Sequence, residues 1–126
     1  MIDFIILKIK RTIMSIDEFV TKLKKNPKQL IFSETMNVIE KNYVFTLTAF
    51  KNGDFQNGNA ENLGSCKVFS FALKQQLTKE ETLACFGQYY FKDVLENPNG
   101  TDHQNIRNFM NTGFEGLVFE NETLVE

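Results

Sequence analysis

The chain has no tryptophan, one histidine, two cysteines and two prolines among its 126 residues, and no uninterrupted apolar run exceeds the four residues of Phe4-Ile5-Ile6-Leu7. Each scarcity excludes a class of protein. A membrane-spanning helix needs about 20 apolar residues in succession, so the sequence reads as a soluble protein without a membrane partner. Cys66 and Cys85, 19 residues apart, fit neither a disulfide scaffold nor a redox or zinc-ligand pair, and they read as reduced thiols of a cytoplasmic protein. One histidine and two distant cysteines leave no metal-ligand set. The segment from Asn52 to Glu61 departs from the calcium-loop pattern, with Gln56 and Asn57 where an acidic ligand and the turn glycine belong. Glycines 53, 58 and 64 lack the spacing of a phosphate-binding loop, so no nucleotide or other cofactor is expected. Fourteen basic against 16 acidic side chains give a net charge of −2, too small to attract nucleic acid or a membrane surface.

What is present is an ordinary globular composition, 42% apolar and 24% charged, at a length suited to one domain. Charge is uneven: residues 1–28 hold seven basic and three acidic side chains, and the lysines interleaved with Ile16, Phe19, Val20 and Leu23 mark the wet face of an amphipathic helix. Met14 precedes Ser15-Ile16-Asp17-Glu18, a capping box at which a protein could begin. Residues 1–13 are therefore expected to be an N-terminal extension or an upstream start, poorly ordered, ahead of a domain over 14–126.

Apolar spacing predicts a first helix from Ile16 that stops near Asn26-Pro27. Ser33 is expected to cap a second helix carrying Met36, Ile39 and Tyr43, and the β-branched and aromatic run Val44–Phe50 to form a short strand. Asn52 to Gly64, dense in Asn and Gly, reads as the long loop. Ser65 is placed to cap a third helix burying Phe69, Ala72, Leu73 and Leu77. Thr78-Lys79-Glu80-Glu81 opens a fourth with Leu83, Phe86, Tyr90 and Val94 inward and Gly87 admitting a close neighbour. After the turn Asn97-Pro98-Asn99-Gly100, the box Thr101-Asp102-His103-Gln104 opens a helix burying Ile106, Phe109 and Met110. That helix ends at Gly113, and Phe114 is expected to fold back on Phe109. Leu117–Phe119 and Leu124–Val125 read as a terminal hairpin, or as one strand and a tail. The fold class is thus a mainly helical α+β single domain of about five helices with two or three short strands, its core built from the 13 phenylalanines.

Two constellations can carry chemistry. Cys66, expected as the first residue inside the third helix, would have its thiolate favoured by free amides and by Lys67, and His103 beside Asp102 completes a Cys–His pair of the nucleophilic type. The alternative is a small buried packing cysteine and a helix-capping Asp-His. The second constellation is Asp102-His103-Gln104-Asn105-Ile106-Arg107-Asn108, where Arg107 can reach Asp102 or Glu61. It reads either as a polar ligand pocket or as a network pinning the Asn-Gly loop to the last helix.

Four ordered blocks resemble the HopJ type III effector family: Phe45-Thr46-Leu47-Thr48-Ala49-Phe50-Lys51-Asn52-Gly53, Glu61-Asn62-Leu63-Gly64-Ser65-Cys66-Lys67-Val68-Phe69, Glu80-Glu81-Thr82-Leu83-Ala84-Cys85-Phe86-Gly87, and Gly100-Thr101-Asp102-His103-Gln104-Asn105-Ile106-Arg107-Asn108-Phe109-Met110. The resemblance runs from about Met14 to Phe119, with Leu47 where the family often has proline and Phe114 where it often has tryptophan. It implies a bacterial protein, with translocation into a host cell only where the source has a type III secretion system. It carries no reaction, cofactor or catalytic residue onto these positions. Two functions are therefore expected to compete. One is a binding or interaction module for a protein or small-molecule ligand, using Asn52, Glu61, Asn62, Lys67, Asp102, Asn105 and Arg107. The other is a thiol-dependent enzyme using Cys66 with His103.

Overall fold

A computed structural model describes residues 14–126. The expectations for residues 1–13 lie outside the described residues. Among the described residues the chain runs α1 (Ile16–Lys25), α2 (Phe32–Asn42), β1 (Val44–Phe45), β2 (Phe50–Asn52), β3 (Phe55–Asn57), α3 (Leu63–Gln75), α4 (Lys79–Ala84), α5 (Gln104–Thr112), β4 (Leu117–Phe119) and β5 (Leu124–Val125). The class is the expected mainly helical α+β domain, and none of its helices is long and apolar enough to cross a membrane.

α3 is the axis of the fold. Val68, Phe69, Phe71 and Ala72 on it are fully buried, an apolar distribution nearly all round the helix that only a central position satisfies. Phe69 meets Phe50, Phe86 and Phe109 at ring-centroid distances of 6.1, 5.5 and 4.9 Å, which ties α3 to the sheet, to the turn that follows α4 and to α5. α1 lays Phe19 and Leu23 on this core, with Ser15 accepting from the Glu18 amide. The Thr78–Glu81 capping box forms with both reciprocal bonds, at 3.1 and 2.9 Å.

Four expectations are corrected. α2 begins one residue before Ser33, because Glu34 takes the Ile31 amide and Gln88 the Phe32 amide, so no hydroxyl cap is needed. The run Val44–Phe50 is not one strand. β1 pairs with β5 (Val44↔Val125), and β2 is the centre of a separate antiparallel sheet in the order β3-β2-β4. The Asn-Gly stretch opens as a β2–β3 hairpin turned at Gly53-Asp54, where Gly53 supplies φ +61°. Leu117–Phe119 and Leu124–Val125 therefore belong to different sheets and make no terminal hairpin.

The fourth helix is also interrupted. Gly87 at φ +58° stops it after α4, and the chain resumes as a wide π-type turn over Tyr89–Val94. The close approach expected at Gly87 is real: a Cβ there would stand 2.7 Å from the Phe32 nitrogen. At the other end of α5, Gly113 stops the helix and the Phe114 ring packs edge-on to Phe109 at 5.2 Å, as expected.

Candidate functional site

α3 and α5 both start later or earlier than their hydroxyl and acidic residues suggest, and for one physical reason. Asn62 and His103 adopt left-handed backbone conformations, φ 51° and 49°, and each serves as an N-cap without a side-chain hydrogen bond to the helix. Ser65 is therefore inside α3 rather than its cap, and the Thr101–Gln104 capping box does not form. The first helical bonds run from Cys66 N–H to the Asn62 carbonyl and from Arg107 N–H to the His103 carbonyl. Amides earlier in each first turn are left to whatever lies before them.

What lies before them is a cleft of about 420 Å³, lined by Asn62, Gly64 and Ser65 of the α3 start and by His103, Gln104 and Asn105 of the α5 start. Its wall is a run of aromatic rings. Phe86 and Phe32 stack at 6.2 Å, Phe32 meets Tyr89 at 5.0 Å, and Tyr89 stacks on the His103 imidazole at 5.1 Å. Phe55 of β3 lines the same cleft. Gly64 keeps it open at the helix start, since a Cβ there would stand 2.8 Å from the Phe32 ring.

The base of the cleft is a lattice of asparagines. Asn52 Nδ2 donates to the Asn105 carbonyl and side-chain oxygen at 2.9 and 3.0 Å. Asn57 and Asn105 exchange amide bonds at 3.2 and 2.9 Å, and Asn62 Nδ2 donates to Asn57 Oδ1 at 2.6 Å. Asn52, Asn57 and Asn105 are buried, so these bonds join the hairpin to both helix starts where water cannot compete. This is the pinning network expected for the Asn-Gly loop.

His103 is held from the other side. Its Nε2 stands 3.0 Å from Asp93 Oδ2 and 3.8 Å from Asp102 Oδ2. An ionised carboxylate only accepts, so Nε2 is the donor in this contact. Arg107 donates to the Asp102 carboxylate and to the Asn97 and Asp102 carbonyls, clamping the loop that carries His103. The Arg107 hydrogen bond, aided by the neighbouring positive charges, holds the Asp102 carboxyl below the usual carboxylate range.

With this geometry in hand, comparison with known proteins gives a family. The family model described as HopJ type III effector protein matches residues 16–124. The chain belongs to the HopJ type III effector family. It is also similar to the crystal structure of the unknown-function protein VPA0580, with 53% sequence identity, a TM-score of 0.87, and coverage of 89% of this chain and 93% of that one. No curated protein matches.

The sequence-based site residues of this HopJ-family chain divide into separate places. Asn62, His103 and Asn105 line the cleft, and Asn52 supports it from below. Glu61 closes the adjoining turn by accepting from the Gly58 amide, and Lys67 pairs with Glu40 at 3.2 Å and lies over the Phe45 ring. Arg107 reaches Asp102 and not Glu61.

Cys66 is the fourth residue of α3, where the thiol is almost fully buried and donates to the Thr48 carbonyl at 3.7 Å. Burial pushes its pKa up, outweighing the Thr123 and Ser70 hydroxyls and the Lys67 charge that favour the thiolate. Cys66 and His103 make no hydrogen bond to each other: the sulfur faces Thr48, whereas the imidazole faces Asp93 and the cleft. Among the described residues no three His, Cys, Asp or Glu side chains gather as a metal site.

Sequence reasoning missed the ring wall of Phe32, Phe86 and Tyr89 and the facing Phe55. The available signal was Gly64-Ser65, small residues at the start of a helix otherwise packed with phenylalanine.

Proposed function

We propose that this HopJ-family chain is a binding module whose small-molecule ligand occupies the cleft between the α3 and α5 starts. The observation that carries this reading is the convergence of two helix starts without side-chain caps on one aromatic-walled cavity. Its volume, about 420 Å³, lies in the range of small-molecule sites, and its mix of apolar walls with a few fixed polar groups is their usual composition. The lattice beneath it is held by its own amide bonds, with Asn52 Oδ1 the one buried side-chain atom of the lattice that lacks a partner among the described residues, so the cleft is shaped by bonds the ligand does not supply. A thiol reaction has no comparable support, since the raised thiol pKa and the Thr48 bond both keep Cys66 protonated and turned away from the imidazole.

The test is a thermal-shift screen of planar fragments against the parent protein and Gly64→Val. The valine side chain would fill the space now held open against Phe32. Ligands that raise the melting temperature of the parent and leave Gly64→Val unmoved support the reading. Equal shifts in both proteins would refute it.

A further inference from the structure

We infer that the compound this cleft takes is an uncharged planar heterocycle with both acceptors and donors on its edge, a class that deepens and rests on the binding reading above. Three observations narrow the chemistry. First, no Lys, Arg, Asp or Glu lines the cleft, so no side chain of fixed charge is there to pair with a charged group. Asp93 and Asp102, the carboxylates beside His103, are engaged by His103 and Arg107.

Second, the walls are rings. Phe32, Phe86, Tyr89 and His103 make a contiguous aromatic wall, and Phe55 supplies a further ring from β3, an environment that gains most from a flat guest with π-faces. An aliphatic guest of equal size would fill the volume without the stacking.

Third, the hydrogen-bonding inventory is mixed. Asn62 and Gln104 spend their amide nitrogens on Asn57 and the Thr101 carbonyl, which leaves Asn62 Oδ1 and Gln104 Oε1 as acceptors with no protein donor among the described residues. The Ser65 hydroxyl supplies a donor that no described side chain uses, beside the backbone amides of the two first turns. A guest whose edge offered acceptors alone would leave both protein acceptors unmatched, and a purely apolar ring would leave every one of these groups unmatched.

The experiment is an amide correlation titration of the full chain with three probes: hypoxanthine (neutral, mixed edge), benzoate (charged ring) and indane (apolar ring), repeated on Gln104→Met. Hypoxanthine is expected to shift the Gly64, Ser65 and Asn105 amides, to bind roughly tenfold more tightly than indane, and to lose about that factor in Gln104→Met while indane does not. Benzoate shifting these amides more strongly than hypoxanthine would overturn the ligand class and leave the cleft reading intact. Indane binding as tightly as hypoxanthine would do the same, because the polar edge would then contribute nothing. No cleft amide moving with any probe would overturn both.

Discussion

Gly87→Ala is the substitution through which the cleft and the fold are most tightly coupled. Its backbone sits at φ +58°, and the missing Cβ would stand 2.7 Å from the Phe32 nitrogen and 2.9 Å from both the Ile31 carbonyl carbon and Cα. These are backbone atoms, so no rotamer change relieves the contact. A left-handed conformation costs an L-residue about 1–2 kcal/mol, and forcing backbone apart in a packed region adds about 1–3 kcal/mol. The Phe32 amide bond to Gln88, 2.9 Å long, lies at the same contact and is worth about 1 kcal/mol. The sum is about 3–6 kcal/mol. At roughly 3–5 °C per kcal/mol for a chain of this size, the melting temperature should fall by about 10–30 °C. Circular dichroism at neutral pH reads this directly. Gly113→Ala is the control, because Gly113 also has positive φ, at +60°, but a Cβ there meets only Lys79 Cδ, at 3.9 Å. It should cost only the backbone strain, about 1–3 kcal/mol. Equal losses in the two variants, or a fall below about 3 °C for Gly87→Ala, would refute the assigned role of the Ile31–Phe32 contact.

Asn105→Ala removes the side chain that exchanges amide bonds with Asn57 and accepts from Asn52 in a buried setting. A loss of about 2–4 kcal/mol is expected in urea unfolding, and a loss under about 0.5 kcal/mol would mean the lattice is not structural. Glu81→Gln tests the cap of α4. The Thr78 backbone amide and the Lys24 ammonium hold the Glu81 carboxyl below its ordinary value, so its contribution is present above the unfolded pKa and lost as pH falls through the folded one. The variant should be less stable than the parent by about 0.5–2 kcal/mol at pH 7, and the gap should close on acidification below the ordinary glutamate range; a gap independent of pH would contradict the assignment. For the thiols, burial raises the pKa of both Cys66 and Cys85, so native-state alkylation near pH 7 should be slow and should accelerate only as urea populates unfolded chain. Fast alkylation of Cys66 in the native protein, abolished by His103→Ala, would restore the thiol-enzyme alternative.

Where structure is set by neighbours in sequence, reading the chain was sufficient. The Thr78 box, the amphipathic first helix, the Gly113 stop with Phe114 over Phe109, and the tight approach at Gly87 all follow from local patterns. The starts of α3 and α5 did not follow, because Asn62 and His103 occupy left-handed conformations that no capping pattern signals for histidine. Nor did the division of Val44–Phe50 between two sheets, which is decided by pairing with the distant C-terminal strands. The site was half legible. Its polar members stood out by composition, whereas Phe32, Phe55, Phe86 and Tyr89 look in sequence like every other core phenylalanine or tyrosine. Only the tertiary meeting of α2, β3 and the turn after Gly87 turns them toward a cavity.

The proposal that the cleft is a ligand site is tested most directly by soaking crystals of the full chain with a set of planar fragments. Fragment density against the Phe32–Tyr89 wall and Phe55, with polar atoms directed to the first turns of α3 and α5, is the expected result. Fragments found only elsewhere on the molecule, with the cleft filled by water alone, would contradict it.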